Sequence, residues 1–167
     1  MAQNVQQWFM AVDVDRSGQI SVQELQKALA LGNLHFSLAV CRHLIRLYDK
    51  DQSGQIGLNE FVDLHGYLVQ CQQTFYQHDR NRAGYLSPPD VWNAVQSAGY
   101  RLDTPAFEAS MRAFDPDRNA RFELAEYIAF TLFLRSAANT FQGFDQARES
   151  RVHLDFNQFV YAAANCR

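Results

Sequence analysis

One twelve-residue segment occurs twice in this chain with few changes. The first copy reads Asp13-Val14-Asp15-Arg16-Ser17-Gly18-Gln19-Ile20-Ser21-Val22-Gln23-Glu24. The second reads Asp49-Lys50-Asp51-Gln52-Ser53-Gly54-Gln55-Ile56-Gly57-Leu58-Asn59-Glu60. Both place oxygen-bearing side chains at positions 1, 3, 5 and 12 and a glycine at position 6. Three looser copies begin at Asp79, Asp115 and Asp145, so the start points are separated by 36, 30, 36 and 30 residues. That alternation is a 66-residue unit holding two copies, repeated once, with a fifth copy left over. A chain with such a period folds as repeated units that complete one another, and an odd copy looks for its complement elsewhere.

Of the 18 Asp and Glu residues, only Asp63, Asp103 and Glu108 fall outside the five segments. Concentrated oxygen ligands suit a hard cation, whereas a solvated charged face spreads its acids out. Ligands at positions 1, 3, 5, 7, 9 and 12 around a glycine at 6 follow the rule of the EF-hand calcium loop. In the first loop Asp13, Asp15 and Ser17 offer side-chain oxygens and Gln19 its backbone carbonyl, Ser21 acts through water, and Glu24 closes the shell with two oxygens. The second loop is chemically alike, with Asp49, Asp51, Ser53, Gln55 and Glu60, and Gly57 leaves position 9 to water. Ser21 and Glu24 also form a Ser-x-x-Glu capping box. Without metal Glu24 is expected to cap the outgoing helix, and with metal to swing in and chelate.

The other loops are weaker. The third offers Asp79, Asn81, the position-7 residue Tyr85 and Asp90, but Ala83 supplies no oxygen. Asp90 is one methylene shorter than glutamate, which shifts preference towards Mg²⁺. The fourth keeps Asp115, Asp117, Asn119, the position-7 residue Arg121, Glu123 and Glu126, while Ala120 replaces the glycine. A non-glycine residue at positive φ costs about 1–2 kcal/mol, so this loop reads either as a site of lowered affinity or as a structural hand. The fifth has Ala147, Ser150 and Phe156 at positions 3, 6 and 12, and no calcium site is expected there.

Within a unit, the stretch between loops holds two helices and a break, marked by Gly32-Asn33 and by Gly99 with Thr104-Pro105. Between units, Phe61 to His78 and Tyr127 to Phe144 contain no proline, so each predicts one continuous helix; Gly66 and Gly143 weaken these by up to about 1 kcal/mol relative to alanine. The expected fold is all-α: an EF-hand fold of eight helices and five loops, with short paired β-bridges between loops. Position 8 carries Ile20, Ile56, Leu86, Phe122 and Val152. The first four should bridge in two pairs. Val152 is left as an edge for a second copy, unless a terminal segment covers it or the fifth hand is frayed.

Five hands at this spacing, the last degenerate, resemble the penta-EF-hand family. The segment Gly99-Tyr100-Arg101-Leu102 and the intact first two loops look most like the group containing the programmed-cell-death-associated EF-hand protein and peflin. The resemblance covers residues 1–167 as a single domain, with hands at about 4–33, 38–68, 70–100, 105–135 and 136–165. The fifth hand looks as though it carries a two-residue insertion that displaces the closing positions to Gln158-Phe159. The resemblance implies a calcium sensor or adaptor that forms a homodimer or heterodimer through its fifth hand. It also implies target proteins, including Pro-rich peptides, bound when calcium exposes apolar surface. A regulatory subunit of a calcium-activated protease and a calcium buffer are the alternatives. Relatives often carry a Gly/Pro-rich amino-terminal extension, and its role is not carried over, because the first helix is expected at Asn4 to Val12.

Other classes are disfavoured. No basic run points to nucleic acid. The longest apolar stretch, Tyr127 to Leu134, is too short to span a bilayer, and no secretory segment is apparent. Cys41, Cys71 and Cys166 have no metal spacing, and their odd number argues for a reducing, cytoplasmic setting; calcium-dependent movement to membranes fits a peripheral role. Cys41 lies on the apolar side of a helix, and no cysteine–histidine pair has a nucleophile context, so an enzyme is not expected.

Overall fold

The computed structural model describes residues 2–166. Eight helices and four two-residue strands are found among them: α1 (Ala2–Val12), β1 (Gln19–Ile20), α2 (Val22–Leu31), α3 (Leu38–Tyr48), β2 (Ile56–Gly57), α4 (Leu58–His78), β3 (Tyr85–Leu86), α5 (Pro88–Ser97), α6 (Thr104–Phe114), β4 (Phe122–Glu123), α7 (Leu124–Phe144) and α8 (Phe156–Asn165). The proline-free stretches are unbroken, and α4 and α7 run for 21 residues each, leaving one loop and entering the next.

Strand β1 pairs antiparallel with β2 and β3 with β4, placing Ile20 opposite Ile56 and Leu86 opposite Phe122. All four of these side chains are wholly buried. Each contributes about 1.5–3 kcal/mol through lost apolar exposure, so the bridges tie paired loops together through their cores as well as their amides.

The break inside each unit is the same device. After α2, Leu34 N–H donates to Leu29 O (2.9 Å) and Asn33 N–H to Ala30 O (3.0 Å); after α5, Tyr100 N–H donates to Val95 O (3.1 Å) and Gly99 N–H to Gln96 O (3.0 Å). These are Schellman closures, which need one left-handed residue. In the second unit it is Gly99, at φ 94°. In the first it is Asn33, at φ 59°, while Gly32 stays at φ −89°. The glycine next to the break is therefore not the residue that turns the chain, because asparagine tolerates this region unusually well. Helix α6 then starts on Asp103, which accepts Ala106 N–H at 2.9 Å, with Pro105 in the first turn.

The units meet along α4 and α7. Tyr67 Oη lies 3.0 Å from Thr131 Oγ1 and 3.3 Å from Ile128 O, and Cys71 Sγ lies 3.5 Å from the same threonine. Tyr127, Ile128, Phe130, Thr131, Leu132 and Leu134 are buried, as expected of a segment apolar around most of its circumference. The run Trp8-Phe9-Met10 behaves differently: Phe9 turns inward, while Trp8 and Met10 remain exposed. Helix α8 has no buried residue and presents Phe156, Phe159, Val160 and Tyr161 outward.

Candidate metal-binding loops

All five loops share one backbone frame. Position 4 is left-handed in each (Arg16, Gln52, Arg82, Arg118, Arg148), and so is position 6 (Gly18, Gly54, Gly84, Ala120, Ser150). The position-1 aspartate stitches the turn. Asp13 accepts Ser17 N–H at 3.0 Å and Gly18 N–H at 2.9 Å. Asp49, Asp79, Asp115 and Asp145 accept the corresponding amides at 2.8–3.1 Å. Ala120 sits at φ 56° and Ser150 at φ 57°, so the non-glycine residues accept the strained conformation and the turn survives.

Closure separates the loops. In the first, Glu24 Oε2 accepts Ser21 N–H (2.9 Å) and Ser21 Oγ–H (2.6 Å), while Oε1 accepts Val14 N–H at 3.0 Å. In the second, Glu60 Oε2 accepts Gly57 N–H (2.8 Å) and Oε1 accepts Lys50 N–H (2.7 Å). One rotamer therefore caps the helix and reaches across the loop at once, so no swing between capping and chelating positions is needed. Carboxylate oxygens of Asp13, Asp15 and Glu24 lie within 4.8 Å of one another, as do those of Asp49, Asp51 and Glu60. Ser17 Oγ–H donates to Gln19 O at 2.8 Å and Ser53 Oγ–H to Gln55 O at 3.3 Å, which draws positions 5 and 7 together.

The fourth loop gathers Asp115, Asp117 and Glu126 equally closely. Asn119 Oδ1 accepts Arg121 N–H at 2.6 Å, and Glu126 Oε2 accepts Glu123 N–H at 2.9 Å. The second arm is missing: position 2 is Pro116, which has no N–H to offer. Proline at position 2 is a signal the sequence carries, and counting ligands alone passes over it. In the third loop Asp90 accepts, among the described residues, only from Ser87, through its amide at 3.4 Å and its hydroxyl. Asn81 brings no charge, and Tyr85 is covered by the Arg121 guanidinium, 4.9 Å from its ring centre.

The electrostatics follow the geometry. Hydrogen bonds from Ser17, Ser53 and Ser21 hold the carboxyls of Asp15, Asp51 and Glu24 below the ordinary range. Glu126 moves the other way: partial burial raises it, and the charges of Asp117, Asp115 and Glu123 raise it further. The hydrogen-bond donors in each cluster are neutral, so each gathers three carboxylates within a few ångströms, with Lys50 adding a nearby positive charge only at Glu60 of the second. Hard carboxylate, carbonyl and hydroxyl oxygens at this spacing fit a divalent cation such as Ca²⁺.

The fifth loop confirms the insertion. In the other hands the helix cap falls at position 9 and its reciprocal partner at position 12. Here the cap is Asp155 and the partner Gln158, with Gln158 N–H to Asp155 Oδ1 at 2.8 Å and Asp155 N–H to Gln158 Oε1 at 3.0 Å. Both lie two positions later, and Val152 belongs to no strand, although it is partly covered.

A family model of an EF-hand domain pair matches residues 3–64. Penta-EF hand domain-containing protein 2 of Dictyostelium discoideum is 30% identical over 160 residues, covering 92% of this chain and 74% of that protein. The chain belongs to the penta-EF-hand family. Human sorcin is 29% identical over 157 residues, covering 91% of this chain and 78% of sorcin. A solved structure of a homolog of programmed cell death 6 protein from Leishmania major Friedlin superposes with a TM-score of 0.76 at 34% identity, over 99% of this chain and 95% of that one. As a penta-EF-hand protein, this chain is built to bind divalent metal through its acidic loops.

Cys41 and Cys71 are buried, and burial pushes both thiols up, away from the thiolate form a nucleophile needs. Among the described residues no helix is long and apolar enough to cross a membrane.

Proposed function

We propose that this protein is a calcium-responsive adaptor. Calcium occupies the first and second loops through Asp13, Asp15, Ser17, Gln19 and Glu24 and through Asp49, Asp51, Ser53, Gln55 and Glu60. The fourth loop fills more weakly, and Mg²⁺ competes there and in the third. The observation that carries the reading is that Glu24 and Glu60 already bridge both ends of their loops, so an ion meets a nearly finished shell.

The same loops border an apolar surface. A cleft of about 900 Å³ between α1, α2 and α4 is walled by Trp8, Leu25, Leu29, Leu34, Phe61 and Leu68, and Glu24 lies on its rim. Calcium closing the first loop around Asp13, Asp15 and the already placed Glu24 reorients α1 against α2, which widens this cleft for an apolar or Pro-rich segment of a target protein. The exposed face of α8, with Phe156, Phe159 and Val160, and the Val152 edge support association with a second copy or a related chain. The site of action is the cytoplasm, with movement to membrane-bound targets when calcium rises.

Calorimetry on the wild type, Glu24→Gln and Glu60→Gln tests the metal sites, with sedimentation velocity on Phe159→Glu for association. Dissociation constants of roughly 10⁻⁷–10⁻⁵ M that vanish one loop at a time belong to a sensor. Binding without added exposure of apolar surface to a hydrophobic dye would refute the adaptor reading and leave a buffer.

A further inference from the structure

Helix α8 is held lightly at its far end. It packs on α7, with a ring contact between Phe144 and Tyr161 whose centres lie 6.3 Å apart, and none of its side chains is buried. Its last carbonyls are met by a residue from another hand. Arg46, in the last turn of α3, donates to Asn165 O at 2.9 Å and to Ala164 O at 3.4 Å. The final carbonyls of a helix lack intrahelical partners and carry partial negative charge, which an arginine fork satisfies.

Helix α3 is also the helix that enters the second loop. Asp49, three residues after Arg46, is both the cap of α3 and the first oxygen of that loop, and its N–H donates to Ile45 O at 2.7 Å. One turn earlier, His43 Nε2 lies 2.6 Å from Ser136 Oγ on α7. Helix α3 is thus fastened to both helices that flank the fifth loop. The repeat supplies an internal control. A shift of 66 residues maps Arg46 onto Arg112, in the same register of α6 before the fourth loop, yet Arg112 is exposed and makes no hydrogen bond among the described residues.

We infer that Arg46 couples the second loop to the fifth hand: an ion closing around Asp49 and Glu60 reorients α3, and the Arg46 clamp passes that movement to α8. Among the described residues the fourth loop has no equivalent arginine clamp on α8 and reaches the fifth hand only along α7. The inference rests on the reading that the second loop takes calcium, and the two can be separated experimentally.

The test is hydrogen–deuterium exchange of α8 amides, with and without calcium, at one matched protein concentration. The wild type, Arg46→Gln, Glu60→Gln and a fourth-loop knockout, Glu126→Gln, are compared, each with calorimetry. Arg46 is exposed, so the fold should tolerate its replacement. The expected result is a change of about two- to fivefold in α8 exchange on adding calcium. That change is lost in Glu60→Gln, retained in Glu126→Gln, and lost in Arg46→Gln while calorimetry still shows the second loop filling. An unchanged α8 response in Arg46→Gln with that loop filled overturns the coupling, as does a silent α8 in a calcium-loaded wild type. Absence of calcium heat from the second loop would defeat the underlying reading first, and calorimetry alone reports it.

Discussion

Replacing Pro116 with valine, the residue at the same position of the first loop, should tighten the fourth loop. In the first two loops the amide at position 2 holds the closing glutamate at 3.0 and 2.7 Å before any ion arrives. The fourth loop lacks that donor, and Glu126 keeps the single arm from Glu123. A hydrogen bond to a carboxylate contributes about 1.5–3 kcal/mol, with exposed sites at the low end. Removing proline returns about 0.4–1 kcal/mol of freedom to the unfolded chain, a cost borne by folding. The part that reaches affinity is the ordering of one carboxylate arm, ~1 kcal/mol, or a factor of about five. Calorimetry on the Glu24→Gln, Glu60→Gln background isolates the fourth loop, with circular dichroism to show that helix content is unchanged. Equal or weaker affinity in Pro116→Val, with the fold intact, would refute the reasoning. Binding in neither protein would instead show that the fourth loop is structural.

Ala120→Gly should act on folding rather than on binding, because Ala120 already sits at φ 56° without an ion. Denaturant melts should show a gain of up to about 1 kcal/mol, while the fourth-loop affinity stays within twofold (roughly 0.4 kcal/mol). Ile56→Ala empties a wholly buried bridge position and should cost about 2–4 kcal/mol in urea unfolding; a loss under 1 kcal/mol would mean the bridge carries little of the core. Burial depresses His43 and His65 below the ordinary histidine value of 6.5, with the charge of Arg46 adding to His43. A depressed folded value means the stabilisation is present above about pH 6.5 and lost as pH falls through the folded value. Metal-free thermal melts should therefore drop as pH falls below about 6.5, and a flat profile there would contradict the partial burial of these rings.

Much of this was legible from residue order because the relevant physics is local. The 66-residue period, the position-8 pairs, the long α4 and α7, the two complete loops and the insertion before Gln158 all follow from side-chain chemistry within a dozen residues. Other features required the chain to be folded. The left-handed residue after α2 is Asn33 rather than Gly32, because hydrogen bonding to Leu29 and Ala30 decides where the turn falls. Phe9 is buried while Trp8 and Met10 are not, because only one face of α1 meets the core. Glu24 caps and bridges at once because the backbone frame brings Val14 and Ser21 to opposite sides of one carboxylate. Arg46 and Arg112 occupy equivalent positions in the repeat and differ only in what lies beside them. By itself the sequence determined the loops and which acidic residues gather in them, since twelve consecutive residues fix the turn's backbone frame. Tertiary structure decided which helices the loops can move, since contacts between residues 118 and 119 positions apart have no local signature.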